Sequence, residues 1–278
     1  MSGPIVWNIR PEIFSFSPLP RWYSLIFAIG IAGAWAAMRA MFRREGKPLE
    51  LIDSLLVYCV LGMMIGMRLG HVIFYQPDYY FTWEHWLEIP QIWKGGYASH
   101  GGFAGVIIAL FLFARKHKET SMLWLMDHMA VASMVTAGCI RVGNFFNSEM
   151  IGHVAKVPWA VVFQQIDDVP RHPAQLYEAV GYFAIFFGFL WAYYKTRIAE
   201  APGRLAGWII VAGFGWRFFC EFFKEDQVPF EQGMSLNMGQ LLSVPFMAIG
   251  LIMALAATKK WRERQEQNGG AATSKPVA

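Results

Sequence analysis

At 278 residues, with 55% hydrophobic and 16% charged side chains, the chain is too apolar for an ordinary soluble protein. Its formal net charge of +4 is modest, and many of the cations sit in short loops, which points to membrane topology rather than nucleic-acid binding. Cys59, Cys139 and Cys220 are odd in number and lie in or beside apolar stretches, which excludes a disulfide scaffold and reads as buried, inert thiols.

The Pro-rich start lacks a basic region followed by a short apolar core, so no cleavable signal peptide is expected, and no lipobox cysteine stands near it. Seven windows read as membrane helices, roughly 22–41, 52–74, 98–114, 121–140, 175–194, 205–223 and 238–257; most reach the length of about 20 residues that crosses a bilayer core. The loops between them alternate in charge. Arg39 closes the first window and Arg43, Arg44 and Lys47 follow it; Arg115, Lys116 and Lys118 follow the third, Lys195, Arg197 and Arg204 the fifth, and Lys259, Lys260, Arg262 and Arg264 the seventh. The intervening loops are poor in Lys and Arg: 75–97 has only Lys94, and 224–237 has Lys224 against Glu225, Asp226 and Glu231. The positive-inside rule then puts the N-terminus outside and the C-terminus in the cytoplasm.

On that topology the polar outliers share one layer. Tyr23 begins the first window, Arg68 and His71 lie near the outer end of the second, and His100 stands at the outer mouth of the third. Arg141 follows the fourth, and Arg217 and Glu221 fall in the outer part of the sixth; Arg217 is about 9 Å deep at about 1.5 Å per residue. Residues 141–174 are too long for a simple connection and read as a small extracytoplasmic cap, with 159–164 strand-like. The expected architecture is an all-α polytopic membrane protein with seven transmembrane helices. Residues 1–264 form the membrane domain with its cap, and 265–278 a disordered cytoplasmic tail.

Ionisable groups inside a membrane are costly and mark function. Arg141, Asn144, Asn147 and Glu149 are the densest polar cluster; a guanidinium fork matches phosphate oxygens, and asparagine amides donate to the same oxygens or lock the loop. His100 is followed by Gly101 and Gly102, which let backbone approach a ligand, and a neutral imidazole is a suitable base for a thiol or hydroxyl. Arg217 and Glu221 share a helix face and fit two readings, a structural ion pair or a phosphate-facing arginine held by its glutamate. Arg68 with His71 reads as structural or gating, and Asp127 with His128, near the inner end of the fourth window, as a helix-bundle contact. The segment from Arg171 to Glu178, at a Pro-led helix start, has two readings, packing of the cap onto the bundle, which is favoured, and contact with a substrate. No zinc, nucleophile-elbow or Walker motif occurs, so no metal is expected.

These residues resemble a known family. Tyr97 to Gly102, Arg141-x-x-Asn144-Phe145-x-Asn147-x-Glu149-x-x-Gly152, His172-Pro173-x-Gln175-Leu176-Tyr177-Glu178 and Arg217-x-x-x-Glu221-Phe222-Phe223 are similar to the motifs of bacterial prolipoprotein diacylglyceryl transferases, and Arg21-Trp22-Tyr23 and Arg68-Leu69-Gly70 fit too. Two positions depart from the usual pattern: Ile140 stands where a Gly commonly precedes the motif arginine, and Ser99 where Phe commonly precedes the histidine. The resemblance implies transfer of the diacylglyceryl group of phosphatidylglycerol to the lipobox cysteine of a preprolipoprotein, without a cofactor. The setting would be the inner membrane of a bacterium, with the site toward the periplasm. It assigns His100, Arg141, Arg217 and Glu221 to catalysis and Tyr23, Asn144, Glu149, Gly101 and Gly152 to substrate binding. Its partners are the lipid, the signal peptide and surrounding membrane lipids, with no nucleic acid. Two other readings of the residues are an intramembrane hydrolase or protease using Ser99 or Ser148 with a histidine, and an anion transporter. Missing nucleophile motifs count against the first, and the absence of an internal repeat against the second.

Overall fold

The computed structural model describes residues 4–14, 16–225 and 233–273. Asp226 and Glu231 of the last outer loop and residues 274–278 of the expected tail lie outside the described residues. The chain divides into two compact units, one of Met1–Ala37 with Asp127–Ala278 and one of Met38–Met126.

Helices occupy all seven expected windows: α1 Trp22–Arg44, α2 Glu50–Phe74, α4 Ser99–Lys116, α5 Met122–Phe146, α6 Ala174–Lys195, α7 Arg204–Glu221 and α8 Met238–Thr273. A short helix, α3, spans Pro77–Tyr80. Of these, α1, α2, α5, α6 and α8 are long and apolar enough to cross a membrane, which makes the chain a polytopic membrane protein. The other two long helices have 18 residues each; α4 opens beside His100 and α7 carries Arg217 and Glu221.

Two helix ends differ from expectation. The fourth span was expected to stop at 140, yet α5 continues to Phe146, so Arg141 and Asn144 lie in its last turns rather than in a loop. The reason is apolar: Phe145 and Phe146 pack with Trp7, Ile151, Val161, Phe163 and Leu176 in a small core beneath the cap. The seventh span was expected to stop at 257, yet α8 runs to Thr273. Charge ends a lipid-facing stretch but not a helix; Lys, Arg, Glu and Gln are good helix formers, and Lys259 and Glu263 pair one turn apart.

The fold is also not purely helical. The strand-like stretch in the cap is β4 (Val161–Phe163), which pairs antiparallel with β5 (Pro170–Arg171) and parallel with β1 (Ile5–Trp7). A hairpin of β2 (Glu12–Phe14) and β3 (Ser17–Arg21) leads into α1.

Glycines set the closest helix contacts. A Cβ on Gly66 of α2 would lie 2.2 Å from the Gly101 carbonyl oxygen of α4, and one on Gly105 would lie 2.0 Å from that of Gly62. Glycines four apart on two facing helices thus let the backbones touch, the small-residue packing familiar in membranes. Within the other unit, Asp127 of α5 accepts the Gly203 and Ala206 N–H groups at 2.8 and 2.6 Å. It caps α7 from a distance, satisfying amides that a helix start leaves without partners. That is the bundle contact expected of Asp127.

Gly66→Val should lower the thermal unfolding midpoint in detergent, because overpacking costs about 1–3 kcal/mol. Gly188→Ala, with nothing within 4 Å of its added carbon, should leave it unchanged or slightly raised. Equal midpoints for both variants would contradict the backbone contact.

Candidate active site

In the unit that holds both motif arginines, charged side chains from three helices and the segment after α7 form one string. Arg141 on α5 places Nε 3.0 Å from Glu178 Oε2 on α6, and its Nη1 donates to Asn144 Oδ1 at 3.2 Å. Asn144 Nδ2 in turn donates to Glu149 Oε2 at 3.0 Å, and Asn147 Nδ2 to Glu149 Oε1 at 3.2 Å. Ser148 and Met150, which flank Glu149, adopt left-handed backbone with φ of 54° and 56°; they turn the chain so that the carboxylate comes back over the two asparagines. The Gln175 amide fixes this turn by donating to the Glu149 carbonyl at 2.5 Å.

Glu178 has no exposure to solvent, and its Oε2 also lies 3.0 Å from Lys224 Nζ. Neither cation meets that oxygen along a hydrogen-bonding direction, so the attraction is that of ion pairs. Tyr182 donates to the other oxygen at 3.3 Å. Lys224 Nζ reaches Glu221 Oε1 at 2.8 Å, and Arg217 Nε lies 3.6 Å from the same oxygen. The string therefore reads Arg217, Glu221, Lys224, Glu178, Arg141, with alternating signs. Buried charges survive when they are paired in this way, and removing one partner of such a pair is strongly destabilising.

Tyr23 seats its ring against Gly143, where a Cβ would come within 2.8 Å of it, and it lies in electrostatic reach of Glu149 and Arg141. Gly152 sits where a Cβ would meet the Phe223 and His172 carbonyl oxygens at 2.5 and 2.6 Å. Its backbone bridges to Lys224, so only glycine lets the cap touch the end of α7. One helical unit thus holds Tyr23, Arg141, Asn144, Glu149, Gly152, Arg217 and Glu221.

His100 and Gly101 belong to the other unit. The His100 ring is exposed and lies against Phe74 and Tyr75 at 5.1 and 5.9 Å. Gly101 is accounted for by its contact with Gly66 on α2. Arg68, read as structural or gating, is buried and donates to the carbonyls of Ile89, Gly95 and Glu88 at 2.9, 2.6 and 2.7 Å. It gathers the loop that enters α4. Gly95 and Gly96 turn that loop with φ of 80° and 77°.

Sequence reasoning missed Lys224 and gave Glu178 to packing. A signal for Lys224 was present: positions 217, 221 and 224 repeat at the spacing of one helix face. Among the described residues, no group of three His, Cys, Asp or Glu side chains is placed to hold a metal ion.

The fold and the string define a helical membrane protein that gathers guanidinium groups around buried carboxylates. The model of the prolipoprotein diacylglyceryl transferase family matches residues 11–256. The chain is 42% identical over 257 residues to the phosphatidylglycerol–prolipoprotein diacylglyceryl transferase of Tolumonas auensis, covering 92% of this chain and 98% of that one. It is 40% identical to the protein of the same name from Chloroherpeton thalassium, with coverage of 93% and 96%, and 43% identical to that of Bacteroides fragilis, with coverage of 92% and 96%. The chain belongs to the prolipoprotein diacylglyceryl transferase family.

A second polar clamp holds the cap. Arg171 on β5 places Nη2 2.5 Å from Asp167, Nη1 2.5 Å from Glu225, and Nη1 3.3 Å from the Gly152 carbonyl. The hydrogen bonds from Arg171 hold the Asp167 carboxyl below its ordinary value. Its contribution to stability is therefore complete above the unfolded value, about 3.9, and disappears as the pH falls through the folded value. Asp167→Asn should lower the unfolding midpoint by a constant amount from neutral pH to about pH 5, with the difference shrinking below about pH 4. Thermal unfolding followed across pH checks this, and a difference that grows on acidification would contradict the pair.

Proposed function

We propose that the protein transfers the diacylglyceryl group of phosphatidylglycerol to the lipobox cysteine thiol of preprolipoproteins. The sulfur attacks the glycerol carbon next to the phosphate, a C–S bond forms as the C–O bond breaks, and the electron pair leaves with the phosphate oxygen as glycerol phosphate. The observation that carries this reading is the arginine–carboxylate string inside a polytopic helical unit of this family. A leaving phosphate gathers negative charge, and guanidinium groups shielded from water stabilise it best.

Each residue then has a task. Arg217 and Arg141 face the phosphate oxygens. Asn144 and Glu149 hold Arg141 in place, Glu221 anchors Arg217, and Tyr23 hydrogen-bonds the headgroup. His100 takes the thiol proton, since the thiolate is the nucleophile; its chemistry and its place in the family motif support that role. Gly101 seats His100 by bringing α4 close to α2, and Gly152 joins the cap to the end of α7.

All seven long helices cross the inner membrane on this reading, with the N-terminus and cap periplasmic and the C-terminus cytoplasmic. Loop charge supports it, as Arg43 and Arg44 close α1 and Lys47 follows it, and Arg115 and Lys116 close α4. The phospholipid enters sideways from the bilayer and the signal peptide as a helix, so the chemistry belongs just beneath the outer surface.

Purified protein, phosphatidylglycerol and a lipobox peptide should yield lipidated peptide. Arg141→Ala and Arg217→Ala should each lower transfer about 100-fold or more. Near-normal transfer by both would refute the arginine clamp. His100→Gln should lower transfer about 100-fold or more, the contribution of a positioned general base; near-normal activity would assign the base elsewhere.

A further inference from the structure

We infer that Lys224 is a positioning residue that keeps Glu221 engaged, so that Arg217 retains its charge for an external phosphate. The inference rests on the functional reading above and adds to it a residue outside the family motifs that identify the chain.

An arginine four residues before a buried glutamate on the same helix should close onto it in a short, two-pronged pair. Arg217 does not. Its Nε stops 3.6 Å from Glu221, its side chain stays 34% exposed, and among the described residues it makes no other ion pair or hydrogen bond. The glutamate is held instead by groups anchored elsewhere. Lys224 Nζ lies 2.8 Å from Oε1, and Asn237 Nδ2 donates to Oε2 at 3.2 Å. Asn237 is itself fixed at the start of α8: its Oδ1 accepts the Gln240 N–H at 2.9 Å, and Gln240 Oε1 accepts the Asn237 N–H at 3.0 Å, a reciprocal cap. Gly239 leaves room for the carboxylate, since a Cβ there would lie 2.5 Å from its carbon.

Lys224 is equally constrained. Only 3% of its surface is exposed, its backbone bridges to Gly152, and its ammonium also faces Glu178 at 3.0 Å. A compact ammonium with three donors on a flexible stem can serve two carboxylates at once. With Lys224 neutral, Glu221 would lose its nearest cation, and the remaining attraction would draw its carboxylate and the Arg217 guanidinium together. That closed pair would compete directly with the phosphate.

The test uses full-length protein in detergent, with phosphatidylglycerol and a lipobox peptide varied in turn. Lys224→Gln should raise the KM for phosphatidylglycerol about tenfold and weaken inhibition by glycerol phosphate by the same factor, with the peptide KM within about threefold of wild type. Lys224→Arg, which keeps the charge, should stay within about threefold on all three. A general packing role predicts a different outcome, a lower unfolding midpoint with losses shared by both substrates and no selective effect on glycerol phosphate. That outcome, an unchanged lipid KM in Lys224→Gln, or equal impairment of the two variants would overturn the inference. If Lys224→Gln does not fold, Lys224→Arg decides alone: a lipid KM within about threefold supports it and a rise of about tenfold overturns it. If wild type does not transfer, the functional reading fails, and calorimetric binding of glycerol phosphate decides the inference separately. Binding about tenfold weaker to Lys224→Gln than to wild type supports it, and equal binding overturns it.

Discussion

Glu178 is a carboxylate without solvent, set between Arg141 of α5 and Lys224 beyond α7, and the rest of the site depends on it. An isolated charge in that position would neutralise or unfold the bundle. With both cations in place, three helices are tied at one level. Arg141 is then presented toward Asn144 and Glu149, and Lys224 toward Glu221. The same pairing that makes the charges tolerable fixes where two guanidinium groups can point. On the proposed function, stability and chemistry are built from one set of side chains.

The surrounding fold keeps this string in register. Phe145 and Phe146 extend α5 into the cap core, which holds the Arg141–Glu149 turn against β4. Gly152 lets the cap touch Lys224 backbone to backbone, and Arg171 clasps Asp167, Glu225 and the Gly152 carbonyl. In the other unit, glycine contacts between α2 and α4 and the three carbonyls around Arg68 shape the approach to His100. Each unit thus holds its motif residues on packed helices or, for Glu149 and Gly152, on a turn and a bridge fixed by hydrogen bonds.

Much of this was legible in the sequence because lipid penalises polarity so heavily. Arg141, Asn144 and Glu149 stood out as polar density beside an apolar span, and Arg217 with Glu221 as charge inside one. The helix windows were legible for the same reason. What escaped depended on partners far apart in the chain. The pairing of β1 with β4 joins residues more than 150 positions apart, and no local pattern announces it. Lys224 was counted as a loop charge because the helical stripe 217, 221, 224 was not followed past the expected turn. Glu178 looked like a packing residue because its value comes from two cations outside its own helix. Gly62, Gly66 and Gly70 carried a readable four-residue repeat, but it gains meaning only opposite Gly101 and Gly105.

The most direct measurement of the central pairing is Glu178→Gln, which keeps the shape of the side chain and removes its charge. Thermal unfolding in detergent should show a loss of about 3–5 kcal/mol, the cost of stranding buried cations without their counter-ion, and diacylglyceryl transfer should fall with it. An unchanged unfolding midpoint together with undiminished transfer would contradict the account, because Arg141 and Lys224 would then be held by something other than the shared carboxylate.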